Sequence, residues 1–146
     1  MRKGIVVCAV AIAGAVVGAA NANVSASHGD VVTLKATLTR AYVHASAAGS
    51  GTAVITFTGN KVCWKFTYKG IGTPTVSGIH HAPPPAAGHH KTAIIPFTAN
   101  TTMHKGCTAA KAGPVKAVLA NPSAYWVGIG TVGKYANAAA IGGPLH

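Results

Sequence analysis

The stretch that decides the fold class is residues 61–69, which read Lys-Val-Cys-Trp-Lys-Phe-Thr-Tyr-Lys. Large apolar side chains at Val62, Trp64, Phe66 and Tyr68 alternate with smaller or polar ones. This two-residue period is typical of a half-buried β-strand, whereas a helix would repeat its apolar positions every three or four residues. The stretch therefore predicts a strand with one large apolar face, and we expect Trp64 in the core.

Similar patterns and turn signals recur along the rest of the chain. We predict further strands over Val32–Val43, Ala53–Thr58, Val76–His81, Thr92–Phe97, Tyr125–Thr131 and Ala138–Leu145. Gly59-Asn60 predicts a hairpin turn, and Pro114 predicts one short helix near 114–120, because an early helical proline loses no hydrogen bond. Tyr125 and Trp126 are expected in the core. Many short strands at this spacing indicate an all-β sandwich or barrel.

The N-terminus has the three parts of a secretory signal peptide. A basic Met1–Lys3 precedes the uncharged, apolar Gly4–Ala19, and Ala20-Asn21-Ala22 fits the small-x-small cleavage rule. A transmembrane anchor is less favoured, because the apolar run is shorter than the ~20 residues of a span and rich in Ala and Gly. We predict cleavage after Ala22 and a secreted or periplasmic protein without an anchor, in which 23–30 is a flexible lead-in and 31–146 a single domain.

Cleavage would remove Cys8 and leave two cysteines, Cys63 and Cys107. In an oxidising compartment two cysteines predict one disulfide. A metal site built on them is less favoured, because no Cys-x-x-Cys pair accompanies them. We expect Cys63 on the aromatic strand and Cys107 in a loop before the helix.

The scarcity of acidic residues excludes several kinds of chemistry. The chain holds 12 Lys and Arg residues against one acidic residue, Asp30, and its formal net charge of +11 falls to +9 once Arg2 and Lys3 are removed. Paired-carboxylate hydrolysis needs a second carboxylate, calcium sites need several oxygen ligands, and general acid–base catalysis usually needs a carboxylate or a histidine held by one. We therefore predict a protein that is not an enzyme.

The positive charge has two interpretations. It could attract an anionic partner such as polysaccharide, lipid headgroup or nucleic acid, or it could serve solubility or adaptation to acidic surroundings. The basic residues are dispersed along the chain, and Arg40 is the one arginine after the predicted cleavage site. Nucleic acid is disfavoured as a partner, because such sites usually show a focused basic patch and arginine is the usual bidentate phosphate ligand.

Four histidines bracket one proline-rich loop. His80 and His81 precede Ala82–Gly88, and His89 and His90 follow it. Such pairs could converge on copper or zinc, although neighbouring strand residues point to opposite faces and zinc usually takes three or four ligands. A metal site at His80, His89 and His90 is therefore an alternative to a solvated histidine-rich loop that binds metal weakly, and the loop without a cofactor is favoured.

A set of motifs between Val62 and Leu145 resembles the CHRD domain, the module first described in chordin and common in bacterial secreted proteins. The motifs are Val62-Cys63-Trp64, Gly78-Ile79-His80-His81, Gly106-Cys107, Asn121-Pro122-Ser123-Ala124-Tyr125-Trp126-Val127 and Ala140-Ile141-Gly142-Gly143-Pro144-Leu145. The resemblance covers roughly Leu38 to Leu145. It implies an immunoglobulin-like, Greek-key β-sandwich in an extracellular binding module without established catalysis.

The family pattern also carries polar residues that this chain lacks. The first histidine of the family's His-x-His strand falls on Gly78. The family's later histidine falls on Gly130, and the arginine of its closing Ile-Arg-Gly falls on Gly142. The His-x-His strand also resembles that of copper/zinc superoxide dismutase, but the bridging histidine, the zinc aspartate and the full histidine set have no counterparts here. A dismutase-like enzyme is therefore the least favoured alternative.

These observations together favour a secreted or periplasmic, non-catalytic CHRD-like interaction module. We expect it to be associated with the cell envelope or the extracellular matrix and to bind a partner there, whether anionic or not. The runner-up hypothesis is a copper- or zinc-binding protein that uses the loop from His80 to His90.

Overall fold

The computed structural model describes residues 29–46, 48–85, 92–97, 104–131 and 139–146. The predicted signal peptide, most of the predicted lead-in, and both His89 and His90 lie outside these residues. The elements are β1 (Val31–Thr39), β2 (Ser50–Thr58), β3 (Lys61–Lys69), β4 (Pro74–His81), β5 (Ile95–Phe97), β6 (Lys105–Ala109), α1 (Ala112–Ala120), a 3-10 turn (Pro122–Ala124), β7 (Tyr125–Thr131) and β8 (Ala139–Pro144).

The first three strands form an antiparallel meander with a regular register. Thr58 lies opposite Lys61, so Gly59 and Asn60 alone connect β2 to β3. Gly59 has a φ of +55°, a left-handed conformation that glycine adopts without a steric penalty. The alternating side chains of β3 take opposite sides, with Trp64 and Phe66 buried and Lys65 exposed, because successive strand residues face opposite surfaces.

The all-β class is confirmed, but the immunoglobulin-like sandwich is not. The described strands form one antiparallel eight-stranded sheet in the order β5-β4-β7-β8-β1-β2-β3-β6. β1 joins the two halves by pairing with β8 at Thr39 and Gly142, and the backbones of Lys35 and His146 exchange two hydrogen bonds of 2.8 and 3.0 Å. This junction makes the two halves continuous, where a sandwich would keep two separate sheets.

Aromatic rings bring the two ends of the sheet together. Phe97 of β5, at one edge, stacks on Trp64 of β3 with ring centroids 4.6 Å apart, and it lies 6.0 Å from Phe66. β3 is adjacent to the other edge strand, β6. The sheet is therefore nearly closed like a barrel, and the apolar core lies inside it.

The helix is confirmed and begins slightly earlier than predicted, at Ala112. Pro114 lies in its first turn, where backbone N–H groups have no intrahelical partner, so the missing donor costs no helical hydrogen bond. Val115 and Val118 are buried against the core. The helix therefore covers part of the core with one apolar side.

The prediction that Cys107 lies in a loop is wrong, because it lies in the middle of β6. This strand carries no large apolar side chain to signal a buried face. A Cβ atom at Gly106 would collide with the Trp64 indole, so the ring of β3 takes the space that a side chain of β6 would otherwise fill. The inward side of β6 is therefore covered by a side chain of β3, so the sequence of β6 itself shows no apolar alternation.

Candidate functional site

Two surfaces of the sheet collect the residues singled out by their chemistry. The first is the outer side of β4, β7 and β8, which we call the glycine–tryptophan face; its residues are Gly78, His80, Trp126, Gly128 and Gly142. Gly78 lies opposite Gly128, which lies opposite Gly142, and His80 lies opposite Trp126. The neighbours of Trp126 in β7, Tyr125 and Val127, belong to the core. Trp126 itself therefore points to the outer side.

Trp126 is 2% exposed although it lies outside the core cluster. Its indole stacks on the His80 ring with centroids 4.5 Å apart and planes 18° apart, and its Nε1 donates a hydrogen bond of 2.9 Å to the carbonyl oxygen of His81. Tyr42, in the turn after β1, tilts against the same indole at 6.2 Å, and burial raises the pKa of that tyrosine. Trp126 is thus the centre of a second, outer cluster.

Two glycine positions on this face, Gly78 and Gly142, are sterically closed. A Cβ atom at Gly78 would lie 2.7 Å from the Cβ of Ala93 and 2.8 Å from the carbonyl oxygen of Ile95. One at Gly142 would lie 2.6 Å from Cγ1 of Val43 and 3.0 Å from the Trp126 ring. Packing therefore leaves no space for a larger side chain at either position.

The three predicted metal ligands cannot be assembled from the described residues. His80 is 8% exposed and stacked on Trp126, whereas His89 and His90 lie outside the described ranges. His81 is exposed, and its ring lies against Tyr125 on the other side of the strand, at 4.9 Å. No group of three or more His, Cys, Asp or Glu side chains able to hold a metal ion occurs in the part of the chain that the structure describes.

The second surface is the outer side of β1, β2, β3 and β6, which we call the lysine face. It presents five exposed lysines: Lys35, Lys61, Lys65, Lys69 and Lys105. Lys65 of β3 lies directly opposite Lys105 of β6, and Lys35 lies two strands away in the same transverse row, beyond Val54 of β2. The basic residues that are dispersed in sequence are thus concentrated in space. The meander of β1, β2 and β3 places Lys35, Lys61, Lys65 and Lys69 on one side. The pairing of β6, a strand that the sequence did not predict, adds Lys105 opposite Lys65.

The disulfide lies on the lysine face and not in the core. Cys63 and Cys107 are opposite each other in β3 and β6, with Cα atoms 4.0 Å apart, and they form the predicted bond. Cys63 is half-buried and Cys107 exposed. The bond ties the short edge strand β6 to the meander one row away from Lys65 and Lys105.

His104, to which the sequence assigned no role, closes the end of this edge. Its ring stacks on Tyr68 with centroids 4.6 Å apart and planes 1° apart, and its backbone carbonyl accepts a 2.6 Å hydrogen bond from the amide of Phe66. Burial raises the pKa of Tyr68 above its ordinary value. The hydrogen bond between Phe66 and His104 extends the ladder between β3 and β6 by one residue beyond Lys105.

Trp64, Tyr125 and Trp126 are all buried, at 4%, 7% and 2% exposure. Trp64 and Tyr125 belong to the core cluster, whereas Trp126 packs on the outer side. The sequence could have predicted this difference, because Tyr125 and Trp126 are adjacent in one strand and their side chains must point to opposite sides.

The family model that describes the CHRD domain matches residues 20–138. The chain belongs to the CHRD domain family. CHRD domains are generally interaction modules without enzymatic activity. No curated protein and no solved structure matches the chain significantly. The family and the geometry of the two faces are therefore the basis for a function.

Within the residues that the structure describes, no helix has the length and apolar character needed to cross a membrane.

Proposed function

We propose that the chain is a secreted or periplasmic interaction module without catalytic activity that binds a component of the cell envelope or extracellular matrix. The observation that carries the proposal is the CHRD match over residues 20–138. The Cys63–Cys107 disulfide supports an extracellular location, because such bonds persist in oxidising compartments.

The glycine–tryptophan face gives no support to a catalytic role for this side of the sheet. At Gly78 and Gly142 the space that a side chain would need is filled by Ala93, Val43 and Trp126. His80 is stacked on the indole of Trp126, so the ring is held by packing. These contacts stabilise the strands β4, β7 and β8, and we infer that this face serves the scaffold and not a reaction.

Export can be tested with the full chain, expressed from its own first residue in a bacterial host. We expect the protein in the periplasm or medium, with an intact mass that corresponds to a chain beginning at Asn23. A variant with Arg2→Glu and Lys3→Glu, which reverses the basic segment, should stay in the cytoplasm with residues 1–22 attached. A wild-type chain that stays cytoplasmic and uncleaved would contradict the secreted location.

Binding can be tested by cosedimentation of the protein, as recovered from the cells, with washed cell envelopes and with insoluble matrix material. We expect retention in at least one pellet at physiological ionic strength, and more of it than of a basic control protein of similar size and charge. Equal recovery of both proteins in every supernatant would contradict the proposal.

A further inference from the structure

The lysine face has a charge arrangement that the sheet itself does not need. Lys65 and Lys105 are directly opposite each other across β3 and β6, and like charges in that position destabilise a sheet. Lys35 continues the row on β1. With strands about 4.8 Å apart, the row of three lysines spans roughly 15 Å. The chain has one acidic residue, Asp30, which cannot neutralise five lysines.

The disulfide fixes this row in place. Cys63 and Cys107 occupy the neighbouring row of the same face, two residues from Lys65 and from Lys105. The bond therefore keeps β6 against β3 although Lys65 and Lys105 carry like charges. An anion bound along the row would attract both lysines and so offset the repulsion between their like charges.

Threonine hydroxyls line a second row of the lysine face. Thr37, Thr52 and Thr67 form the next transverse row across β1, β2 and β3, and all three are exposed. Each hydroxyl can both donate and accept a hydrogen bond. A surface of ammonium and hydroxyl groups matches a polymer that carries both negative charges and hydroxyl groups.

We propose that the lysine face binds an anionic polysaccharide, whose carboxylate or sulfate groups lie along the row Lys35–Lys65–Lys105 and whose hydroxyl groups contact the threonine row. The inference rests on the proposed interaction function and names its partner. Nucleic acid fits less well, because the five charges of the face are lysines and the outward positions of its strands carry no aromatic ring for base stacking. A lipid surface would favour a broader apolar side than Val31 offers, at 63% exposure.

The test compares two variants of equal net charge. The row variant replaces Lys35, Lys65 and Lys105 by Gln. The control variant makes the same change at Arg40, Lys111 and Lys116, which are exposed and lie outside the strands of the lysine face. Binding is measured to polygalacturonate and dextran sulfate, with neutral dextran, a duplex DNA and phosphatidylglycerol vesicles as further arms. Circular dichroism and thermal melts show that each variant is folded.

We expect the wild type to bind at least one of the two anionic polysaccharides and not neutral dextran. The row variant should bind that polysaccharide about tenfold more weakly, because it lacks three exposed charge pairs, and its affinity should depend less on salt. The control variant should lose much less affinity. No binding to either polysaccharide, equal weakening of both variants, or tighter row-dependent binding to DNA or vesicles would overturn the proposal. If the row variant is still retained by cell envelopes, the lysine face is not the binding surface, although the proposed function still holds.

Discussion

Gly142 shows how a single missing side chain shapes the outer side of the sheet. Its Cβ position lies 2.6 Å from Cγ1 of Val43 and 3.0 Å from the Trp126 ring, both of which are buried. We expect Gly142→Ala to lower the free energy of unfolding by about 1–3 kcal/mol, because overpacking forces its neighbours to move. Urea denaturation followed by tryptophan fluorescence measures this change.

Gly113 provides the matched control, because nothing lies within 4 Å of its Cβ position in α1. Gly113→Ala should change the free energy of unfolding by less than about 1 kcal/mol, because the better helical propensity of alanine is opposed by the steric restriction that Pro114 places on the residue before it. A Val43→Ala background should reduce the penalty of Gly142→Ala. If that penalty is the same in both backgrounds, the contact between Val43 and Gly142 does not limit the packing.

Metal binding is a further question at the scale of single residues. His80 is stacked on Trp126, and the structure describes no third ligand near it. We expect copper(II) or zinc to bind weakly and without fixed stoichiometry, and the binding to weaken below about pH 6, where imidazole in general becomes protonated. Isothermal titration of the wild type and His80→Ala should give similar curves. A tight one-to-one isotherm that His80→Ala abolishes would instead establish a metal site.

The edge strand β6 depends on the disulfide more than any other described element does. It has five residues, pairs with β3 over Lys61–Lys65 and supplies no large apolar side chain to the core. Replacing Cys63 and Cys107 by Ala should lower the free energy of unfolding by up to about 4 kcal/mol on the chain-entropy model, given the separation of 44 residues.

Hydrogen exchange locates the effect of this double variant. Amides of β6 should exchange faster than in the wild type, while those of β1 and β2 keep their relative protection. Reduction of the wild-type protein should reproduce the change, and the exported wild type, unfolded without reductant, should have no reactive thiol. Uniform loss of protection over all strands would show that the bond does not act mainly on β6.

Local sequence predicted most elements because their apolar period is carried by their own side chains. β3 has Val62, Trp64 and Phe66 on one side, and β7 begins at Tyr125 as expected. β6 escaped prediction because Gly106 lies beneath the Trp64 ring, so its inward side is filled by another strand. Edge strands of this kind are identified by their partners and not by their own composition.

At the scale of the whole molecule the net charge should weaken the folded state at low salt. The chain carries a formal charge of +11, and its folding places Lys65 opposite Lys105. Raising sodium chloride from about 10 to about 150 mM shortens the Debye length from about 30 to about 8 Å, so we expect the melting temperature to rise by several degrees. Differential scanning fluorimetry measures the rise.

The row variant with glutamines at 35, 65 and 105 serves as the comparison. Its melting temperature should rise less with salt than that of the wild type, and it should exceed the wild-type value at low salt, because the opposed charges are gone. If the two proteins respond identically to salt, the repulsion between these lysines is not a significant part of the folded-state energy.

The amino-acid sequence alone determined the properties that depend on composition and on neighbours along the chain. These are the all-β class, the short helix, the pairing of Cys63 with Cys107, the excess of positive charge and the resemblance to the CHRD domain. Each follows from a period, a count or a set of motifs that does not depend on which strands pair.

Tertiary structure decided what depends on pairing between distant strands. The junction of β1 with β8 made one nearly closed sheet where two were expected, and the packing of Trp126 closed the positions at Gly142 and Gly128. The registers of β1, β2, β3 and β6 brought lysines from three strands to one face. Register sets which residues are neighbours across strands, and it is selected by burial of the whole apolar face. The candidate site therefore emerged only in the folded protein.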